Sequence, residues 1–352
     1  MIIAVPADGV FHHEDLVAGT HAIFGALDVT RGDIVAFASD FDPQPMHLDE
    51  EAAKASVVGG LCASGFHTCA MMMRLLCDNF LGRSASLGSP GVDEVKWLRP
   101  VRPGDRLSLR INVLETRDLK SRANVGLSKM LFEVLDQAGT PVMSAETNQL
   151  MRRRQPGPLA TAAAQRPKAK IPARATLWDE PVSATSIARG AYFEDIIIGE
   201  VCELGAHTFG RDDIIAFARQ FDPQPFHLDE EAGKRSLFGG LAASGWHTAA
   251  LFIRQNVRAG QSRKAAFQVG DTRPAAWGPS PGFRDMQWLR PVLAGDRIEY
   301  RCKTIEAREL KSRPDRGLMI SLGEGRNQHG EIVYRFTGQI LIERRRGGVA
   351  RT

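Results

Sequence analysis

An internal duplication constrains this chain more than any other feature. Phe41-Asp42-Pro43-Gln44-Pro45-Met46-His47-Leu48-Asp49 returns 180 residues later as Phe221-Asp222-Pro223-Gln224-Pro225-Phe226-His227-Leu228-Asp229, with only Met46 exchanged for Phe226. From Glu14-Asp15 against Glu194-Asp195 the two halves align without a gap through Gly59-Gly60-Leu61 and Gly239-Gly240-Leu241. The match runs on through Ala63-Ser64-Gly65 and His67-Thr68 against Ala243-Ser244-Gly245 and His247-Thr248. Trp97-Leu98-Arg99-Pro100-Val101 returns as Trp288-Leu289-Arg290-Pro291-Val292 at an offset of 191, so 11 extra residues fall near Arg258–Ser280, where a longer loop is expected. A chain of 352 residues built this way folds as two similar units, each large enough for its own core.

Each copy opens with a strand pattern, Ala22–Val29 and Val201–Phe209. A short helix follows, Asp33–Ser39 and Asp213–Arg219, with Thr30 placed as an N-cap in the first. The prolines of the repeated nonapeptide make it a turn or overhanging loop. Asp49-Glu50-Glu51 and Asp229-Glu230-Glu231 then begin a further short helix, with the leading Asp as cap and the acids favouring its N-terminal end. Ser64–Phe80 is the longest apolar helix candidate. Phe66, Cys69, Met73, Leu76 and Phe80 recur at helical spacing, while Met71, Met72 and Leu75 widen the apolar face, so this helix should be enclosed. Trp246, Ala249, Ile253 and Val257 repeat the pattern. The remainder of each half reads as strands: Leu107–Val113, Gly126–Leu135 and Val142–Met151, then Ile298–Cys302, Gly317–Leu322 and Ile332–Ile342. One enclosed helix followed by long antiparallel strands implies an α+β unit whose sheet curls around the helix. The units span residues 9–154 and 189–346, and 155–188, rich in Pro, Ala, Lys and Arg, reads as a linker.

The bulk properties narrow the partners. With 43% hydrophobic and 24% charged residues and a net charge of +4, the chain has a soluble globular composition and no nucleic-acid footprint. Arg152-Arg153-Arg154 and Arg344-Arg345-Arg346 close the two repeats and read as solvated tails. The five cysteines show no metal-ligand spacing or disulfide framework, which fits a reducing compartment. The N-terminal residues carry neither a basic leader region nor a long apolar run, and no charge-free segment reaches membrane-spanning length. A cytoplasmic location without membrane contact is the expectation.

Strand, short helix, Asp-x-x-Pro-x-His turn, long helix and Pro-Val-x-x-Gly-Asp strand, in that order and twice, resemble the MaoC-like, or (R)-specific enoyl-CoA hydratase, family of hotdog folds. The family pattern Asp-x-Asn-Pro-x-His is met by Asp42 to His47 and by Asp222 to His227, with Gln44 and Gln224 standing where the family has Asn. The family's His-Gly pair at the start of the central helix is Ser64-Gly65 and Ser244-Gly245 here. A serine about two turns further along that helix has no counterpart, since Met73 and Ile253 fall there. The resemblance implies two tandem hotdog domains arranged as a pseudo-dimer, with further homo-oligomerisation open.

An acid and an imidazole linked by a proline-stiffened loop can aim at one point, as acid–base chemistry requires. The resemblance makes Asp42, His47, Asp222 and His227 the catalytic residues of reversible trans-2-enoyl thioester hydration, or of (R)-3-hydroxyacyl thioester dehydration. It assigns the backbone N–H of Gly65 or Gly245 to the thioester carbonyl, where a helix N-terminus meets developing negative charge. Ser64 and Ser244 read as N-caps or substrate contacts, and Gln44 and Gln224 as longer polar arms in the site. No metal or redox cofactor is needed, and coenzyme A, or an acyl carrier, enters as part of the substrate. Arg99 and Arg290, and Lys120-Ser121-Arg122 with Lys311-Ser312-Arg313, are candidate phosphate contacts or solvated strand ends. His67 and His247 read as satisfied core histidines. Two other functions remain open: an acyl-CoA thioesterase, and a non-catalytic acyl-thioester binding module. Hotdog thioesterases usually carry a carboxylate on the central helix, where this chain has only Asp78, near the far end.

Overall fold

The computed structural model describes residues 1–119, 122–155, 175–183, 191–267 (side chains of 263–267 excepted) and 275–345. In the first half β1 (His21–Asp28) leads into α1 (Arg31–Phe41), whose start is fixed by Thr30. The Thr30 hydroxyl accepts the Asp33 N–H at 3.1 Å while Asp33 accepts the Thr30 N–H at 3.3 Å, a reciprocal cap that satisfies two otherwise orphaned donors. α2 (Pro45–Leu48) and α3 (Glu50–Lys54) follow, the latter capped by Asp49, which accepts the Ala52 N–H at 2.8 Å. The nonapeptide is therefore partly helical. Pro45 occupies the first helical position, where a missing N–H costs nothing, and so starts a turn of helix where an open loop was expected.

α4 (Gly65–Asn79) buries eleven of its fifteen residues. It is apolar nearly all round, so it sits in a concave sheet. That sheet consists of β2 (Ser86–Gly88), β3 (Gly91–Trp97), β4 (Arg106–Asp118), β5 (Val125–Leu135) and β6 (Pro141–Arg152), joined by β1. The second half repeats it with β7 (Val201–Thr208), α5 (Arg211–Phe221), α6 (Pro225–Leu228), α7 (Glu230–Arg235), α8 (Gly245–Phe267), β8 (Gly282–Trp288), β9 (Arg297–Glu309), β10 (Arg316–Arg326) and β11 (Ile332–Glu343). Much of the second copy's insertion lengthens α8 to 23 residues, correcting the expected longer loop. The rest of it, 268–274, lies outside the described residues.

The halves join edge to edge. β3 pairs antiparallel with β8, from Gly91 opposite Gln287 to Lys96 opposite Gly282. The main order is β1-β4-β5-β6-β3-β8-β11-β10-β9-β7, with β2 beside β6, giving one eleven-stranded sheet. Glycine is needed at the seam: a Cβ on Gly91 would lie 2.1 Å from the Met286 carbonyl oxygen, and one on Gly282 would lie 1.9 Å from that of Val95. The sequence reading had no strand at either seam position. Both carry irregularities that break the period-two pattern, a register shift between Val92 and Glu94 and a positive φ of 56° at Asp285.

On the helical side, α1 and α5 meet across the pseudo-twofold axis. Phe37 lies edge-on to Phe221 and Phe41 edge-on to Phe217, each with ring centroids 5.5 Å apart. Four of the six terminal arginines are not solvated: Arg152 is exposed as expected, and Arg346 lies outside the described residues. Arg153 and Arg154 pair with Glu14 and Asp15, and Arg344 and Arg345 pair with Glu194 and Asp195, tying each half's end to its beginning. Within the expected linker, residues 175–183 are docked rather than free. Leu177 donates its N–H to buried Glu324 at 2.8 Å, and the Trp178 ring lies against Arg301 and Arg326. Residues 156–174 and 184–190 lie outside the described residues.

The seam generates a prediction. In Gly91→Ala or Gly282→Ala the added methyl collides with backbone that only strand separation can move, at a cost on the order of 1–3 kcal/mol. Calorimetric unfolding should show Tm lower by about 5 °C for each, and an unchanged Tm in both would mean that the pairing is dispensable.

Candidate active site

Asp42 ends α1 and His47 lies within α2, so two short helices at an angle bring the carboxylate and imidazole together. Asp42 Oδ2 and His47 Nε2 stand 3.7 Å apart, too far for a direct hydrogen bond. Each is held from behind. His47 Nδ1 lies 2.8 Å from the Cys62 carbonyl, which only accepts, so Nδ1 carries the proton and Nε2 faces Asp42. Ser64 donates to Asp42 Oδ2 at 2.6 Å and Gln44 donates to Oδ1 at 2.8 Å. Ser64 Oγ also accepts the Phe66 N–H at 3.2 Å, so one hydroxyl caps α4 and orients the acid. The arrangement ties the start of the central helix directly to the carboxylate.

Gly65 is the first residue of α4, where N–H groups have no partner within the helix. Its lack of a side chain has a packing cause too. A Cβ would sit 2.4 Å from the Trp97 ring, whose Nε1 donates to the Gly65 carbonyl at 3.0 Å. Trp288 does the same at Gly245, at 2.9 Å.

The second half reproduces the geometry. Asp222 Oδ2 accepts from Ser244 at 2.6 Å, its Oδ1 accepts from Gln224 at 2.9 Å, and His227 Nδ1 lies 2.7 Å from the Ala242 carbonyl. His227 Nε2 is 3.5 Å from Asp222. The surroundings differ. Phe226 lies edge-on to His227 at 4.5 Å, and Phe238 covers it with centroids 6.0 Å apart. Met46 and Val58 hold those positions in the first half. From the other half, Cys77 of α4 donates its thiol to Asp222 Oδ1 at 3.3 Å, and burial together with that carboxylate pushes the thiol's pKa up.

A cavity of about 570 Å³ distinguishes the two pairs. Its lining includes Asp42, Gln44, His47, Gly65 and Trp97 from the first half. Across the seam it includes Ile253 and Val257 of α8 together with the inner face of β9, β10 and β11. Asp222, His227 and Gly245 are not among its lining. Cys62 lines it as well, but burial pushes that thiol up to about 11, so it is no nucleophile. Arg99 is exposed on the lining and has no ion pair among the described residues, whereas Arg290 stands 3.6 Å from Glu331. Asp78 is bonded to Arg74 at 2.7 Å and is absent from the lining. Of the other candidates, Lys120 and Ser121 lie outside the described residues.

His67 and His247 are buried, as expected, but not satisfied, since Nδ1 of each has no hydrogen-bond partner. They stack face-on with Phe37 and Phe217, centroids 4.5 Å apart. Burial lowers His67 to about 4 and His247 to about 3. The sequence could not reveal the shape of the cavity, because its walls come from residues some two hundred positions apart.

The comparisons agree with this architecture. The profile described as MaoC like domain matches residues 18–133 and 196–315. An uncharacterized protein of Bacillus subtilis (strain 168), YdeM, is 32% identical over 129 residues, covering 36% of this chain and 89% of that protein. Among solved structures, a MaoC domain protein from Chloroflexus aurantiacus J-10-fl superposes with a TM-score of 0.75 at 15% identity, covering 97% of this chain and all of the other. A conserved hypothetical protein of Mycobacterium tuberculosis with a double hotdog fold gives 0.67 at 17% identity, covering 96% of this chain and 100% of that one. These likenesses show the tandem hotdog fold.

The buried histidines carry a pH prediction. Each has a folded pKa below its unfolded value of 6.5, so the stability it contributes is whole above that value and is lost as pH falls toward about 4 for His67 and about 3 for His247. Between pH 7 and pH 5 the loss from His67 is about 2 kcal/mol. Thermal unfolding against pH should show a flatter acid limb for His67→Leu than for the parent protein; parallel limbs would refute the assignment.

Proposed function

The chain belongs to the MaoC-like family, and on that premise we propose that it hydrates a trans-2-enoyl thioester reversibly at the Asp42–His47 pair. The observation that carries this reading is the cavity, which brings carboxylate, imidazole and a helix N-terminus to one space large enough for an acyl chain. The 3.7 Å gap between Asp42 Oδ2 and His47 Nε2 leaves both atoms free to contact one water. In the proposed step the water oxygen bonds to C3 and the C2–C3 π pair moves toward the thioester carbonyl. One member of the pair takes a proton from the water and returns that same proton to C2, while the other holds the water by a hydrogen bond. Both water hydrogens and its oxygen end in the 3-hydroxyacyl product, and no electrons are gained or lost overall. Negative charge on the carbonyl oxygen is met by the Gly65 N–H, where the aligned peptides of α4 present their positive end. The family resemblance carries the (R) configuration.

In this reading the second pair is a structural echo. Phe226 and Phe238 cover its imidazole, and the Cys77 thiol from the opposite half caps Oδ1 of its carboxylate. Arg99, with no ion pair among the described residues and lying beside the cavity, is the candidate contact for the phosphates of a coenzyme A handle. A thioesterase reading loses support because Asp78, the carboxylate it would use, is engaged by Arg74 away from the cavity.

Single substitutions test the assignment. Asp42→Asn should lower kcat for enoyl-CoA hydration by about 10²–10⁴-fold. Asp222→Asn, which leaves the lined cavity intact, should stay within about threefold. Loss of enoyl absorbance, followed alongside thiol release, measures both. If Asp222→Asn abolished turnover while Asp42→Asn kept it, the wrong half has been assigned; release of free thiol without hydration would move the protein to the thioesterase class.

A further inference from the structure

Superposing the duplication on the cavity shows where the two cores part company. In the first half, β4 and β5 present Val113 opposite Met130 beneath α4, both buried. At the equivalent place in the second half, β9 and β10 present Thr304 opposite Ser321. One pair along, Ile111 opposite Phe132 becomes Cys302 opposite Gly323. Leu76 of α4 and Phe80 just past its end, both buried, become Asn256 and Gly260 of α8. The first half is thus packed solid where the second is opened up, and Asn256, Thr304 and Ser321 line the resulting space.

Removing bulk alone would leave an apolar slot suited to a plain alkyl chain. Here the exchange also places two hydroxyls and an amide on that wall. A hydroxyl or amide turned toward an alkyl chain forfeits hydrogen bonds it would make to water, and each such group costs roughly 1–3 kcal/mol. Among the described residues the Thr304 hydroxyl has one weak acceptor, the Met319 sulfur at 3.8 Å, and so keeps its capacity for a better one. A carboxylate in this space would need a buried cation to balance it. Arg99, which is exposed, is the only cation among the described lining residues.

Resting on the hydratase reading and refining it, we propose that the acyl group accepted here carries an uncharged hydrogen-bonding substituent, a hydroxyl or keto oxygen, beyond C3. Thr304, Ser321 and Asn256 are its specificity-determining residues. They act on the substrate from the second half, while Asp42 and His47 react from the first. These three side chains line the cavity across the seam from Asp42 and His47, so the selection falls on the acyl portion.

The test uses the full chain with four probes of equal carbon number: trans-2-hexenoyl-CoA, its 5-hydroxy and 6-hydroxy derivatives, and trans-2-hexenedioyl-CoA. At least one hydroxylated probe should exceed the plain one in kcat/KM by tenfold or more, and the dicarboxylate should be the poorest. Asn256→Leu and Ser321→Met restore the first half's residues, and each should bring the hydroxyl preference down to within about threefold of unity. Plain hexenoyl-CoA equal to or better than both hydroxylated probes, or a preference for the dicarboxylate, overturns the proposal. Calorimetric titration of 6-hydroxyhexanoyl-CoA against hexanoyl-CoA, neither of which can be hydrated, reads the pocket independently of catalysis. Tighter binding of the hydroxylated thioester with no hydration of any enoyl probe would sink the function and keep the pocket assignment; equal binding would sink the pocket assignment.

Discussion

Main-chain pairing of β3 with β8 is the constraint from which the rest follows. Gly91 and Gly282 let two strand edges approach where any side chain would strike a carbonyl oxygen. Once those edges meet, α4 and α8 lie side by side under one continuous sheet, and Phe66 stacks on Phe283 across the boundary at 5.6 Å. The cavity then has Asp42 and His47 on one side of the seam and its far wall on the other. Neither half alone encloses it.

Local chemistry was largely legible in the sequence. The Thr30, Asp49 and Ser64 caps, the enclosed α4 and the long strands β4 to β6 all follow from side chains acting within a few residues of themselves. The repeated Asp/His spacing placed both pairs, because proline-limited backbone leaves few ways to join α1 to α2. What escaped notice was set by distant partners. The seam strands escaped because a bulge disrupts their alternation. The extension of α8 looked like a loop because Gly260 and its polar neighbours weaken the apolar period. Arg153, Arg154, Arg344 and Arg345 looked solvated until the fold brought Glu14, Asp15, Glu194 and Asp195 beside them.

The candidate site shows the same division. Asp42 and His47 were readable as a pair, but not the difference between their surroundings and those of Asp222 and His227. That difference lies in one exchanged residue beside each imidazole, Met46 for Phe226, a second at Val58 for Phe238, and a thiol arriving from the opposite half. Ser64 proved to do two jobs with one oxygen, capping α4 and fixing the acid, so helix placement and carboxylate orientation cannot vary independently.

The cross-strand exchange of Val113 and Met130 for Thr304 and Ser321 has an evolutionary consequence. In an assembly of identical subunits, any substitution that reshapes the cavity also appears in the subunit that must keep its own core intact. Covalent fusion of two copies removes that coupling, so the cavity wall of one copy can change while the Asp42–His47 geometry of the other stays as it was.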